Sequence, residues 1–309
     1  MTSARAPLPT DIVALVSFDG RIYPNEAKPL DRLGLNERAH PLENALEQWF
    51  SFATGKQTWV SVRGATIRGL LSARRRAKRS AWEVEVLIDA ADDEGVVLSL
   101  FARMKTGILK QGAERVFLRL DADSHLLDCA RKAGFFPYCR ETLYQLNDPR
   151  GQTAPDSGLR PREKNELFGV YQLYSHAVPA NVRSIEGATF REWQAAQERW
   201  GSRPADYLLE EDGVVHAWLR LATGQIGRLY ALAQAGDDSL SAALDFGLAR
   251  LSHSESVLAL VPEYNVQLAA ALTDRGFQPV SSYTLLANRL AKPAEELVQE
   301  PAQNAITVS

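Results

Sequence analysis

Cysteine is scarce in this chain of 309 residues: Cys129 and Cys139 are the only two, and they form no Cys-x-x-Cys spacing. That excludes a disulfide framework and suits a reducing compartment, read here as the cytoplasm. Long apolar runs are missing too. No stretch approaches the roughly 20 residues of a membrane helix, so no membrane partner is expected. The first ten residues lack the basic start and apolar stretch of a signal peptide. The five histidines (His40, His125, His176, His216 and His253) fall far apart without ligand spacing, and no metal is expected. Neither a Gly-x-Ser-x-Gly elbow nor a Gly-x-Gly-x-x-Gly fingerprint occurs. Strong charge of one sign is also missing. The first 150 residues carry 22 basic and 19 acidic side chains and the remainder 13 and 19, which argues against a nucleic-acid partner. The densest basic block, at 74–79, falls at a hairpin turn. It either attracts phosphate or is a solvated tip that blunts the sheet edge.

What the chain does contain is a long internal repeat. Ala130-Arg131-Lys132-Ala133-Gly134-Phe135-Phe136-Pro137 is followed by Thr142-Leu143. Leu272-Thr273-Asp274-Arg275-Gly276-Phe277-Gln278-Pro279 is followed by Thr284-Leu285 at a constant offset of 142 residues. A repeat of that length is domain-sized, beyond solenoid periods. The expected organisation is therefore a first domain at 1–150, a second at 151–290 and a disordered polar tail at 291–309, with a Pro- and Gly-containing linker at 147–164.

Periodicity predicts the same element order in each half. In the first, a helix at 41–52 precedes strands at 58–62, 65–72 and 81–89, a helix at 94–111, a strand at 115–120, a helix at 124–132 and a strand at 136–146. In the second, helices at 163–176 and 189–199 precede strands at 206–210, 214–221 and 226–234. A helix at 238–252, a strand at 256–261, a helix at 265–274 and a strand at 277–287 follow. The fold class is α+β, two tandem domains with mixed, mainly antiparallel sheets covered by helices.

This order, closed by helix-Gly-Phe-x-Pro and a last strand, resembles the GNAT N-acetyltransferase superfamily over residues 58–146 and 163–288. The resemblance implies acetyl-CoA as the acyl donor. Its pantetheine arm would lie between the splayed fourth and fifth strands, at Leu87 and Ile88 in the first half or Leu232 and Ala233 in the second. Its pyrophosphate would sit on amides opening the next helix, a natural anion site. The family's (Gln/Arg)-x-x-Gly-x-(Gly/Ala) loop corresponds to Asp92-Asp93-Glu94-Gly95-Val96-Val97 and to Gly236-Asp237-Asp238-Ser239-Leu240-Ser241. Gly95 and Val96, and Ser239, are the cofactor-binding candidates. Asp92 stands where Gln or Arg belongs, and both loops place carboxylates beside the expected phosphates. Like charges so close cost about 1 to 4 kcal/mol; as helix caps the same acids are ordinary.

The family's Asn-x-x-Ala element and its thiolate-protonating Tyr map onto Asn265 and Leu272 in the second half, and onto Asp123 and Ala130 in the first. Asn265 joins the cofactor-binding candidates, and neither half carries the Tyr. For the base that accepts an amine proton, Glu83 and Glu85 lie on one face of their strand; the alternative is cross-strand ion pairing on a solvated face, for example with Arg68. In the second half Tyr230 and His216, on adjacent strands, form a candidate proton relay or are satisfied structural groups. The stretch 171–191 is either a lid over the second cleft or a plain connection. Two functions remain open: an acyl-CoA-dependent N-acyltransferase acting on a small amine, with at least one degenerate half, or a silent GNAT-fold module that binds a ligand or protein.

Overall fold

The computed structural model describes residues 4–8, 11, 23–34, 55–64, 66–149, 158–201, 203–234 and 239–290. The expected helix at 41–52 and the tail at 291–309 lie outside the described residues. The first half contributes β1 (Ala4–Arg5), β2 (Lys56–Arg63), β3 (Thr66–Arg75), β4 (Ala81–Asp89), α1 (Glu94–Leu109), β5 (Arg115–Asp121), α2 (Leu127–Lys132) and β6 (Phe136–Asn147). The second half opens with β7 (Arg160–Pro161), α3 (Leu167–Ala177), α4 (Ala180–Glu186) and α5 (Phe190–Ala196). It continues with β8 (Ala205–Glu211), β9 (Val214–Ala222), β10 (Ile226–Ala233), α6 (Ser239–Arg250), β11 (Ser256–Pro262), α7 (Val266–Asp274) and β12 (Gln278–Arg289). Three elements depart from the expected pattern, the first being the short edge strand β1 beside β2. Part of the linker forms β7 on the edge beside β8, and a short helix, α4, starts after Pro179, whose fixed φ suits a helix start.

All twelve strands form one sheet in the order β1-β2-β3-β4-β5-β12-β6-β11-β10-β9-β8-β7. The last strands are exchanged. β6, which closes the first half in sequence, pairs with β11 of the second, while β12 pairs with β5 of the first, and β6 and β12 lie side by side at the centre. Only β4–β5 and β10–β11 are parallel.

The repeated Gly-Phe explains how the chain enters these central strands. Gly134 and Gly276 adopt φ of 86° and 87°, the left-handed region that ends a helix. The next amide reaches back five residues, Phe135 N–H to the Ala130 carbonyl (3.0 Å) and Phe277 N–H to the Leu272 carbonyl (3.1 Å). The two phenylalanines then plug equivalent cores. Phe135 packs with α1 and α2 against Trp82, Val84 and Leu118, and Phe277 packs with α6 and α7 against Leu219, Leu229 and Val257.

The opposite sheet face is covered differently. Over the second half, α3, α4 and α5 pack on Leu208, Trp218 and Leu232. Over the first, a buried charge network replaces the solvated face expected for Glu83 and Glu85, which are 3% and 5% exposed. Glu83 pairs with Arg74 (2.6 Å) and Arg76 (3.3 Å), and Glu85 with Arg32 (2.6 Å), Lys56 (3.2 Å) and Arg74 (3.3 Å). Arg68, the partner foreseen for them, instead meets Asp93 at 2.9 Å. The basic block is thus split: Arg74 and Arg76 are internal counter-ions, and Lys78 and Arg79 are exposed.

Replacing Gly276 with alanine puts a side chain at a φ that L-residues disfavour by about 1–2 kcal/mol. The added Cβ meets only Leu146 at 3.7 Å, so the cost lies in the backbone. Urea unfolding of Gly276→Ala is expected to show a loss of that size with an unchanged m-value.

Candidate active site

In each half the two parallel strands part company, and the two gaps have different fates. In the first half, β4 and β5 pair only from Ala81–Glu83 to Arg115–Phe117. Beyond that, the chain's own residues 25–28 fill the space. Glu26 N–H donates to the Leu87 carbonyl of β4 (2.9 Å), and Lys28 N–H donates to the Arg119 carbonyl of β5 (2.9 Å). Asn25 locks the plug: its Nδ2 donates to the Glu85 carbonyl (3.0 Å), and its Oδ1 accepts from Leu87 N–H (2.9 Å). Asn25 and Ala27 are buried. The backbone groups of Leu87 that a pantetheine arm would use are therefore taken, and the Ile88 side chain packs with Val60, Ile67 and Leu70.

The first phosphate loop is closed in the same way. The Asp93 carboxylate accepts from Gly95 N–H (2.9 Å), and the Asp93 carbonyl accepts from Val96 N–H (2.9 Å). The Asp89 carboxylate accepts from the amides of Ala91 (3.2 Å) and Asp93. Gly95 and Val96 thus present their amides to the chain's own oxygens, the capping role that carboxylates serve at any helix start. Glu83 and Glu85, held in ion pairs beneath the plug, are not placed to accept an amine proton.

In the second half, β10 and β11 pair from Ile226–Leu229 to Ser256–Ala259 and then diverge. Among the described residues no backbone hydrogen bond bridges Tyr230–Ala233 to Leu260–Pro262. Leu232 buries its side chain under α3, and Ala233 ends β10. Ser239 opens α6 and is buried, while residues 235–238 of the phosphate loop lie outside the described residues. Asn265 caps α7, its Oδ1 accepting from Leu268 N–H at 3.1 Å. The relay of Tyr230 with His216 does not form. Tyr230 faces Arg220 across the strands, so His216 lies four residues, about 13 Å, further along β9.

Beside the open gap, between the sheet and α3–α5, lies a cavity of about 130 Å³. Its walls combine aromatic rings with half-buried acids. Tyr174, Trp193, Trp218 and Tyr230 line it as one ring-to-ring cluster, and Tyr264 sits where β11 ends. Two carboxylates not among the expected site residues, Glu141 and Glu186, line it as well. Glu141 comes from β6, the exchanged strand, and meets Arg119 at 2.9 Å. Burial, reinforced by Glu198 and Glu186 and opposed by Arg119, pushes its carboxyl up to about 7. Glu186 accepts from the hydroxyls of Tyr174 (3.1 Å) and Tyr138 (3.2 Å), and burial raises it too. Burial likewise raises the Tyr264 hydroxyl, so it stays protonated. The next charged group, Glu198, is held below the ordinary range: Arg119 and Arg76, at 2.9 and 2.7 Å, outweigh its burial.

Local sequence fixes Glu186. Glu186 ends α4, whose last carbonyls accept from Arg115 on β5 (2.9 and 3.0 Å). Gly187 then lets the chain double back, because a Cβ there would meet the Trp193 backbone at 2.2 Å. The stretch 171–191 therefore covers the cavity as packed helices. Its Glu186 was legible as part of a cleft cover. Glu141 gave no signal beyond preceding the repeated Thr-Leu, since nothing local reports strand exchange.

Removing the Asn25 side chain strands the Glu85 carbonyl and the Leu87 amide. Asn25→Ala is expected to destabilise by about 1–3 kcal/mol per buried group left unpaired, read by denaturant unfolding.

No family model matches the chain, and no curated protein does either. Solved structures do. A GCN5-related N-acetyltransferase from Sphaerobacter thermophilus shares 16% identity at a TM-score of 0.56, over 94% of this chain and 96% of that one. A tandem GNAT protein from the clavulanic acid biosynthesis pathway shares 15% identity at a TM-score of 0.50, over 95% and 99%. At such identities the likeness shows the fold, and that fold is the GNAT N-acetyltransferase fold in a tandem arrangement.

Proposed function

We propose that the protein is an acyl-CoA-dependent N-acyltransferase with one working site, in its second half. The observation that carries this reading is the contrast between the gaps: the first is closed by the chain's own residues 25–28, whereas the second opens onto a cavity holding a carboxyl poised near neutrality. The free strand edges at Leu232 and Ala233 fit a pantetheine arm, which pairs with backbone as an added strand does. The start of α6 at Ser239 fits the pyrophosphate, through main-chain amides. Bound acyl-CoA supplies an activated thioester, whose C–S bond breaks as the amine's N–C bond forms.

The chain's residues handle the protons. Glu141 is the base: at about 7 its carboxyl is matched to taking a proton from an ammonium group near neutral pH. Glu186 adds negative potential beside it, and the aromatic wall of Trp193, Trp218 and Tyr174 favours a cation over its faces. Tyr264 is the acid that protonates the departing thiolate, in place of the family tyrosine that Leu272 lacks; Leu272 is wholly buried in the core. The acceptor is a small amine. Two free, buried thiols, Cys129 and Cys139, support a cytoplasmic setting. No described helix is long and apolar enough to cross a membrane.

Calorimetric titration of acetyl-CoA into the full chain should show one site. Ser239→Asp should abolish that binding and Gly95→Asp should leave it intact; the reverse pattern would move the site to the first half. For turnover, kcat/KM should rise with pH to a plateau above about 7, since the base must be ionised to act. Glu141→Gln should lower kcat by about 10²–10⁴-fold and remove that limb. A variant that keeps both rate and pH profile would eliminate Glu141 as the base.

A further inference from the structure

The charges lining the second-half cavity do not all cancel. Arg76 is matched by Glu198 and Glu83, Arg119 by Glu141 and Glu198, and Arg220 by Asp206 at 2.7 Å. Arg228 is different. It is nine-tenths buried and lines the cavity from β10, yet it makes no ion pair with any carboxylate among the described residues. Its Nη2 donates to the carbonyls of Asp31 (3.0 Å) and Leu33 (2.9 Å), and its Nε is buried without a partner. The nearby Asp31 carboxylate is engaged by Arg74 at 2.6 Å. At the other end Glu186 is a half-buried carboxylate held by two tyrosine hydroxyls, with no lysine or arginine in ion-pair contact among the described residues.

The strand register separates the two ends. Arg228 lies opposite Leu258, and Glu141 lies opposite Pro262. The offset is four residues along β11, about 13 Å, and two strand spacings, about 10 Å, before the side chains reach inward. Between them the wall is apolar, formed by Leu143, Leu258 and Leu260. A desolvated guanidinium without a counter-ion is costly, and an incoming anion offsets that cost.

We propose that the acceptor is an extended zwitterion: an amine at the Glu141–Glu186 end, an apolar middle, and a carboxylate that pairs with Arg228. A ω-amino acid or short peptide has this chemistry. The amine end rests on the acyltransferase reading, whereas the Arg228 end can be tested by binding alone.

The test uses the full chain with 6-aminohexanoate and hexylamine, which differ by the carboxylate. With acetyl-CoA, kcat/KM should favour 6-aminohexanoate by at least about tenfold, the scale of a charge-assisted bond. Arg228→Gln, which retains donors for the Asp31 and Leu33 carbonyls, should bring that ratio to about one without slowing hexylamine. Arg228→Lys should retain most of the preference. Equal turnover of the two probes by the wild type, or an undiminished preference in Arg228→Gln, overturns the inference and leaves the acyltransferase reading standing. If acetyl-CoA does not bind at all, that reading fails, and calorimetry of 6-aminohexanoate alone decides the inference. Binding that hexylamine does not match and that Arg228→Gln loses supports it; no binding overturns it. Should Arg228→Gln not fold, the wild type decides: a melting temperature raised by 6-aminohexanoate and not by hexylamine supports it, and equal shifts overturn it.

Discussion

The exchange of last strands is the constraint on which the rest of this structure depends. β12 sits between β5 and β6, and β6 sits between β12 and β11, so neither half completes its sheet from its own sequence. The two halves therefore share one continuous hydrogen-bonded ladder and should unfold together, not as separable units. The same exchange shapes the cavity. Glu141 belongs in sequence to the first half, and the crossover delivers it to the cavity of the second. Arg119 and Arg76, both first-half residues, follow it there through their ion pairs.

Those ion pairs form a belt along one sheet face, from Lys56 and Glu85 through Arg74, Glu83 and Arg76 to Glu198, Arg119 and Glu141. Buried pairs seldom add net stability over apolar residues of similar shape, but breaking one strands a charge at a cost of about 3–5 kcal/mol. Their effect here is to fix relative position. The belt ties β3, β4, β5, β6 and the segment after α5 into one arrangement, with Glu198 as the node between the halves. It also sets the electrostatics of the cavity, because the neighbouring Glu198 carboxylate opposes ionisation of Glu141 while Arg119 favours it.

The fold was largely legible because its signals are local. Alternation marked the strands, helical spacing marked α1, α3 and α6, and the repeated Gly-Phe marked the chain reversals into β6 and β12. The site was legible only where a motif carried it. The carboxylates around Gly95 warned that the first phosphate loop was compromised, and they do cap its amides. Glu83 and Glu85 alternate as a polar stripe does, and alternation cannot distinguish water from a buried layer of arginines. Glu141 and Arg228 are brought to one cavity by the pairing of β6 and of β10 with β11, and the β6–β11 pairing joins distant parts of the chain that no local pattern links.

The two gaps follow one physical rule with opposite outcomes. Where parallel strands diverge, the facing backbone groups need partners, because buried unpaired amides and carbonyls are expensive. The first half meets that need internally, with residues 25–28 acting as an added strand and Asn25 satisfying the remaining groups. In the second half the described chain supplies no such strand. A ligand that pairs with Leu232 and Ala233 would complete the sheet, and its binding free energy would add to the stability of the whole shared ladder. On the proposed function, closure of one gap leaves the first half as a scaffold, and openness of the other would couple occupancy to the fold.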